Sequence, residues 1–266
     1  MAKIYIMRAA WILFCCLFSS APSFGATSLP ILAIQDGTPI KLVVSERGVF
    51  LSLAVPDAFM REVEGLYEEV YLKDLTGDGI AEFVFRLGGE GVNSCSRVLR
   101  YYREDRSLSE LEFGRGGLCN FKVARNYIVS SYRDGASWNQ DVYEVKDGDV
   151  RIKVSDRCVG CGEVNRLEYH PGGLLKRSLV SDDGDFEKRV VLTANVVSNK
   201  ANIYSSPTGI HLTQKYLVQG DKVEFLGFHI SNNERWMQFR FESAVVTEGW
   251  LRCGDTDRAI ECLNLR

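Results

Sequence analysis

Asp74-Leu75-Thr76-Gly77-Asp78-Gly79-Ile80-Ala81-Glu82, followed directly by Phe83-Val84-Phe85, is the stretch on which the fold turns. Oxygen-bearing side chains occupy the first, third, fifth and ninth positions, with glycine at the sixth. A hard cation such as Ca²⁺ takes about six to eight oxygens. Glycine admits the sharp bend that lets alternate side chains point inward together. Asp74, Thr76, Asp78 and Glu82 are therefore candidate side-chain ligands of a structural calcium ion, and Ile80 a candidate through its carbonyl. The twelfth position, a glutamate in a helix-flanked calcium hand, is Phe85 here. The aromatic and β-branched run after the loop reads as a strand, not a helix. The alternative is a glycine-rich turn with solvated carboxylates.

Outward from the loop, almost every segment predicts β structure. Ile40 to Val44 and Val49 to Val55 form a hairpin across Ser45-Glu46-Arg47-Gly48. Val70 to Leu72 and Phe83 to Leu87 flank the loop as strands. Asp57 to Tyr67 is the one helical candidate, with Phe59, Val63, Leu66 and Tyr67 spaced for one face. Three strand-turn-strand units follow, turning at Glu104 to Ser107, Lys146 to Asp149 and His170 to Gly173. Asp-Gly and Pro-Gly turn readily because glycine accepts positive φ, and the units predict an antiparallel meander. The acidic run Ser181-Asp182-Asp183-Gly184-Asp185 reads as a linker. The predicted fold is all-β: a sandwich-like domain over residues 26–185, then a small module over 190–266.

The N-terminal segment reads as a signal peptide, residues 1–25. Lys3 and Arg8 precede the apolar run Ala9 to Phe18, and Ser23 and Gly25 fit a cleavage site. Cys15 and Cys16 raise a lipid anchor as the alternative, but bulky residues precede them. No other segment is apolar enough to span a membrane. The mature chain is thus expected in the periplasm, or secreted. Its six cysteines are Cys95, Cys119, Cys158, Cys161, Cys253 and Cys262, and an even number in an exported chain implies disulfides. Sequence leaves the pairing open; the most local set is Cys95–Cys119, Cys158–Cys161 and Cys253–Cys262. Cys158-Val159-Gly160-Cys161 has redox spacing, but its surroundings read as strand and loop rather than a helix N-terminus, which favours a structural bridge. The formal charge of −3 becomes −5 once Lys3 and Arg8 are removed. An acidic chain argues against nucleic-acid binding, which rests on positive charge.

The C-terminal words Ala201-Asn202-Ile203-Tyr204-Ser205-Ser206-Pro207, Tyr216 to Val223, Trp236 to Phe241 and Glu248-Gly249-Trp250-Leu251 resemble the bacterial SH3-like family over about residues 190 to 255. The resemblance implies a small barrel that often binds peptidoglycan or peptide, with Tyr204, Trp236 and Trp250 as groove or core aromatics. The Asp74 to Glu82 loop, the Tyr101 to Leu108 strand and turn, and Ile128 to Gly135 followed by the Tyr143 hairpin resemble exported lysozyme-inhibitor and immunity proteins of Gram-negative bacteria. That resemblance covers about residues 40 to 180 and implies protection against a wall-degrading enzyme. The added C-terminal module departs from the simplest members.

Ser130 to Trp138 is the candidate interaction loop, since Tyr132, Arg133 and Trp138 are types enriched in binding hot spots. The histidines His170, His211 and His229 are isolated, and no nucleophile elbow, phosphate loop or zinc-binding helix motif is present. The chain therefore reads as a non-enzymatic binding protein. Its expected partner is a wall hydrolase or lysozyme-like effector, or alternatively peptidoglycan gripped by the SH3-like module.

Overall fold

The computed structural model describes residues 29–258, apart from 36, 38, 39, 47, 90, 232 and 233. The expected signal segment and Cys262 lie outside the described residues. The fold is all-β, as the sequence predicts, and is built from four antiparallel sheets.

The first sheet contains β1 (Ile31–Gln35), β2 (Lys41–Glu46) and β3 (Val49–Leu53), in that order. Helix α1 (Asp57–Val63) follows. It is shorter than the predicted Asp57 to Tyr67 segment. Gly65 turns the chain out of the helix at φ 74, Leu66 is exposed, and Tyr67 already opens a strand. So short a helix is marginal alone; it is held because Phe59 and Val63 are buried, with Phe59 edge-on to Phe85 at 5.0 Å.

The second sheet runs β4 (Tyr67–Lys73), β5 (Glu82–Leu87), β6 (Cys95–Tyr102) and β7 (Ser107–Glu110), with β8 (Leu118–Cys119) also paired to β6. Its two faces bury different cores. Phe83, Phe85, Leu99 and Tyr101 pack with the first sheet and α1. Val84, Val98, Leu75 and Leu118 pack with Ile128 and Tyr143 of the third sheet. Burial on both faces explains why β5 reads as an unbroken apolar run instead of an alternation. The result is a three-layered body with the Asp74 to Glu82 loop at one end of its middle layer.

The third sheet is a six-stranded meander of β9 (Lys122–Ala124), β10 (Tyr127–Asp134), β11 (Ser137–Lys146), β12 (Asp149–Val159), β13 (Glu163–Tyr169) and β14 (Leu175–Ser181). The last two predicted hairpin units lie here. The first, at Glu104 to Ser107, belongs to the second sheet, so the three units do not form one meander. The two sheets are tied by Cys119, whose N–H donates to Ser130 Oγ at 2.9 Å.

The fourth sheet has the order β15 (Thr193–Asn195), β18 (Lys222–Ser231), β19 (Glu234–Phe241), β20 (Thr247–Arg252), β16 (Ala201–Tyr204) and β17 (Leu212–Leu217). The barrel implied by the SH3-like resemblance appears as an open ladder, because among the described residues β15 and β17 do not pair. Its core includes Phe225, Met237, Phe239 and Leu251, and takes in Leu179 of β14. Gly249 permits β20 to approach β16: a Cβ there would stand 2.6 Å from Ile203 Cγ2. The Leu192 N–H donates to the Leu179 carbonyl at 2.9 Å, so the fourth sheet is stitched to the edge of the third.

Two of the predicted disulfides are present. Cys95 and Cys119 sit directly opposite one another on β6 and β8, and Cys158–Cys161 closes the turn between β12 and β13. Cys253 is disulfide-bonded as well; its expected partner Cys262 is not among the described residues. No helix among the described residues is long and apolar enough to cross a membrane.

Candidate functional site

β4 delivers Asp74 and β5 begins at Glu82, so the register Lys73↔Glu82 closes the acidic loop at its neck. Asp74 accepts from the Gly77 N–H at 2.7 Å and the Gly79 N–H at 3.1 Å. Asp78 accepts from the Ile80 N–H at 2.8 Å. Glu82 is only 1% exposed and accepts from the Leu75 N–H at 2.6 Å and the Thr76 hydroxyl at 2.7 Å. Carboxylate oxygens of Asp74, Asp78 and Glu82 lie within 4.8 Å of one another, so three of the predicted ligands converge. Thr76 is buried and turned onto Glu82. For Ile80 the contact described is through its N–H.

The loop already contains a cation. Arg100 of β6 donates to Asp78 at 2.8 Å and approaches Glu82 to 4.0 Å. Its other nitrogen donates to the Gly148 carbonyl, in the turn between β11 and β12. Burial pushes the Glu82 carboxyl above the usual carboxylate range; Asp78 and Asp74 push the same way, against the Leu75 and Thr76 hydrogen bonds. The donor set is hard and oxygen-rich, suited to Ca²⁺, but an ion would have to take Asp78 from Arg100.

The second constellation is the β10–β11 hairpin tip. Tyr132, Arg133 and Trp138 come together there, with Arg133 opposite Trp138 in the register. Their roles differ from a uniform contact loop. Tyr132 is buried on the opposite face of the hairpin from Arg133 and Trp138: its hydroxyl accepts from Arg157, and the Arg115 guanidinium stacks 4.7 Å from its ring centre. Burial raises the Tyr132 hydroxyl above its ordinary pKa. Arg115 reaches this position through a left-handed backbone, φ 63, and pairs with Asp134 at 2.8 Å. Asn93 grips the main chain of Arg133 from both sides, at 2.8 and 3.0 Å. That leaves the Arg133 side chain exposed, with Nε donating to the Gly135 carbonyl at 3.1 Å. Trp138 is 39% exposed beside it. Asn93, Arg115, Ser130, Tyr132, Arg133 and Asp134 line a cleft of about 290 Å³.

Arg115, Arg157 and Asn93 escape the sequence reading. The glycine-rich Gly114-Arg115-Gly116-Gly117 run was the available signal for Arg115. Tyr204, the fourth predicted contact residue, is not brought to this tip. It is buried in the fourth sheet, edge-on to Trp236 at 5.0 Å. Trp236 is buried too, whereas Trp250 is half-buried with exposed His229 at 6.1 Å from its ring.

A larger cleft of about 690 Å³ opens between the β11–β12 turn and the turn after β13. Its polar lining is largely self-paired: Lys153 donates to Glu144 at 2.9 Å and to Tyr127 at 3.0 Å.

No family model matches the chain, and no curated protein does. Among solved structures it is similar to one titled "Structure of a Xanthomonas Type IV Secretion System related protein", at 17% identity and a TM-score of 0.32 over 60% of this chain and 86% of that one.

Proposed function

We propose that the chain is a non-enzymatic binding protein of an oxidising compartment outside the cytoplasm, and that it acts as a periplasmic inhibitor or immunity protein against a cell-wall-degrading enzyme. The observation that carries this is the hairpin tip. An exposed tryptophan and an exposed arginine stand side by side on one face of the hairpin, whose opposite face is fixed by the stack of Tyr132, Arg115 and Arg157. Arginine is suited to bidentate capture of carboxylates, the groups on which glycoside hydrolysis depends. Rigid aromatic and arginine anchors are also the usual hot spots of protein interfaces. The disulfides fit an exported chain.

The test is inhibition. Purified protein is added to lysozyme-type hydrolases acting on peptidoglycan. At least one should be slowed, and Arg133→Ala with Trp138→Ala should weaken binding about thirtyfold or more, a loss of about 2 kcal/mol. Wall lysis by the protein alone, or indifference of every hydrolase, would sink the reading. A second reading is favoured by half-buried Trp250 beside exposed His229: the fourth sheet grips peptidoglycan. Sedimentation with purified sacculi, lost in Trp250→Ala, would mark that reading.

We also propose that Asp74, Asp78 and Glu82 hold a structural calcium ion, with Thr76 and Ile80 completing the loop. Calcium should raise the melting temperature over a chelator-treated sample, and Asp78→Ala should erase the difference. Equal melting with and without calcium in the unmutated protein would refute the ion.

A further inference from the structure

Next to the hairpin tip lies the Cys158–Cys161 bridge, which the binding reading leaves without a role. It spans three residues, against 24 for Cys95–Cys119. Disulfides stabilise largely by restricting the unfolded chain, and more so for longer loops, so this one adds little to global stability. Cys161 is exposed and Cys158 half-buried. Cys95 and Cys119, by contrast, are half-buried and face each other across paired strands.

The bridge is coupled to the tip through the backbone. Trp138 pairs with Val159 and Asn139 with Arg157, so Cys158 is the extra residue of a β-bulge. Its φ is 63, a left-handed conformation that residues other than glycine seldom adopt without support. Two things hold it there. Its N–H donates to Asn139 Oδ1 at 3.2 Å, and its sulfur is tied to Cys161. The Ser137 hydroxyl lies 3.7 Å from that sulfur. A bulge bends its strand and disrupts the ladder locally, and the residue that pairs across this disruption, at Val159, is Trp138.

We propose that Cys158–Cys161 is a thiol–disulfide exchange site whose state sets the position of Trp138; as regulation of partner binding it rests on the reading of the tip given above. The co-reactant is a dithiol reductant. Its thiolate attacks the exposed Cys161 sulfur, the S–S bond breaks, and Cys158 leaves as a thiolate that takes up a proton. The second thiol of the reductant then displaces Cys161 and closes its own disulfide. Two electrons and two protons pass to the protein. Released from the tie, Cys158 leaves its left-handed conformation and the bulge relaxes.

The experiment titrates the folded, oxidised protein with dithiothreitol, alkylates the freed thiols and maps them by mass spectrometry. The Trp138 indole NMR resonance, assigned with Trp138→Phe, is followed in parallel. Cys158 and Cys161 should label at lower reductant than Cys95 and Cys119, and the Trp138 resonance should move while those of Trp236 and Trp250 stay. Cys158→Ser with Cys161→Ser should reproduce the moved resonance without reductant. Earlier opening of Cys95–Cys119 overturns the inference. So does a fixed Trp138 resonance. Where a hydrolase is inhibited, reduction should weaken that inhibition about tenfold. A shifted resonance with no hydrolase bound leaves the exchange site standing and removes only the reading of the tip.

Discussion

Glu82 shows how one side chain can favour an ion and cost stability without it. It is almost fully buried, yet its two oxygens accept from a backbone N–H and a hydroxyl and stand near two more carboxylates. Burial first, then Asp78 and Asp74, raise its pKa in the folded chain. A carboxyl with a raised folded pKa binds more protons in the folded than in the unfolded state across that interval. Stability from this group is therefore fully present below its unfolded value, and is lost as pH climbs through the folded value. Glu82→Gln removes the titration while leaving an oxygen for the Leu75 N–H. In chelator, the stability of the unmutated protein relative to Glu82→Gln should fall as pH rises above the ordinary glutamate value of about 4.3, read from urea unfolding at each pH. A flat difference would mean that Glu82 does not titrate in this interval. Arg100 is the natural counterweight, since it brings positive charge to Asp78 and Glu82 where no ion is bound.

Elements were legible where their own residues decide them, and obscure where distant chain does. The Phe83-Val84-Phe85 run settles a strand after the loop because aromatic and β-branched side chains suit a pleated surface, and both faces are buried. The end of α1 was misread because Leu66 and Tyr67 continue the helical spacing, while Gly65 and the pairing Tyr67↔Leu87 stop it. The candidate loop Ser130 to Trp138 was visible from its own Tyr132, Arg133 and Trp138. The stack on its opposite face was not, because Arg115 and Arg157 arrive from the loop before β8 and from β12. The Gly148 turn makes the same point from the other direction. Asp147-Gly148 predicts a hairpin, and Gly148 does turn at φ 79, but its second constraint is tertiary. A Cβ there would stand 2.8 Å from an Arg100 nitrogen. Gly148→Ala combines an unfavourable positive φ with displacement of Arg100, so it should destabilise by about 1–3 kcal/mol. A second-site Arg100→Ala should remove part of that cost. Thermal unfolding of the two single variants and the double would resolve the coupling, and strict additivity would refute it.

At the scale of the molecule, the acidic run after β14 is more than a spacer. It passes over the outer face of the six-stranded sheet, and what fixes it is Arg189, whose side chain is fully buried. Arg189 donates to Asp156 at 2.5 Å, to Gln140 at 2.8 Å and to the Asp183 carbonyl at 2.8 Å. Asp156 also takes a fork from Arg166 at 2.8 and 2.7 Å, and Arg166 reaches the Phe186 carbonyl at 2.9 Å. Two guanidinium groups around one carboxylate leave a buried positive excess that the two carbonyl dipoles help to offset. Such a network adds little over a well-packed apolar cluster, but removal of one member is costly because the remaining groups stay buried without their partner. The stretch it anchors leads directly to Leu192, where the fourth sheet is hydrogen-bonded to β14. Arg189→Met keeps the bulk and removes the charge. Asp156 retains Arg166, so the loss should be near the lower end of the range for a broken buried pair, about 3 kcal/mol in urea unfolding. Phe186, packed edge-on to Tyr127 at 5.2 Å, should become a site of chymotrypsin cleavage, releasing the fourth sheet from the three-layered body. Unchanged stability with unchanged resistance to cleavage would show that the stretch is held by its backbone contacts and not by this arginine.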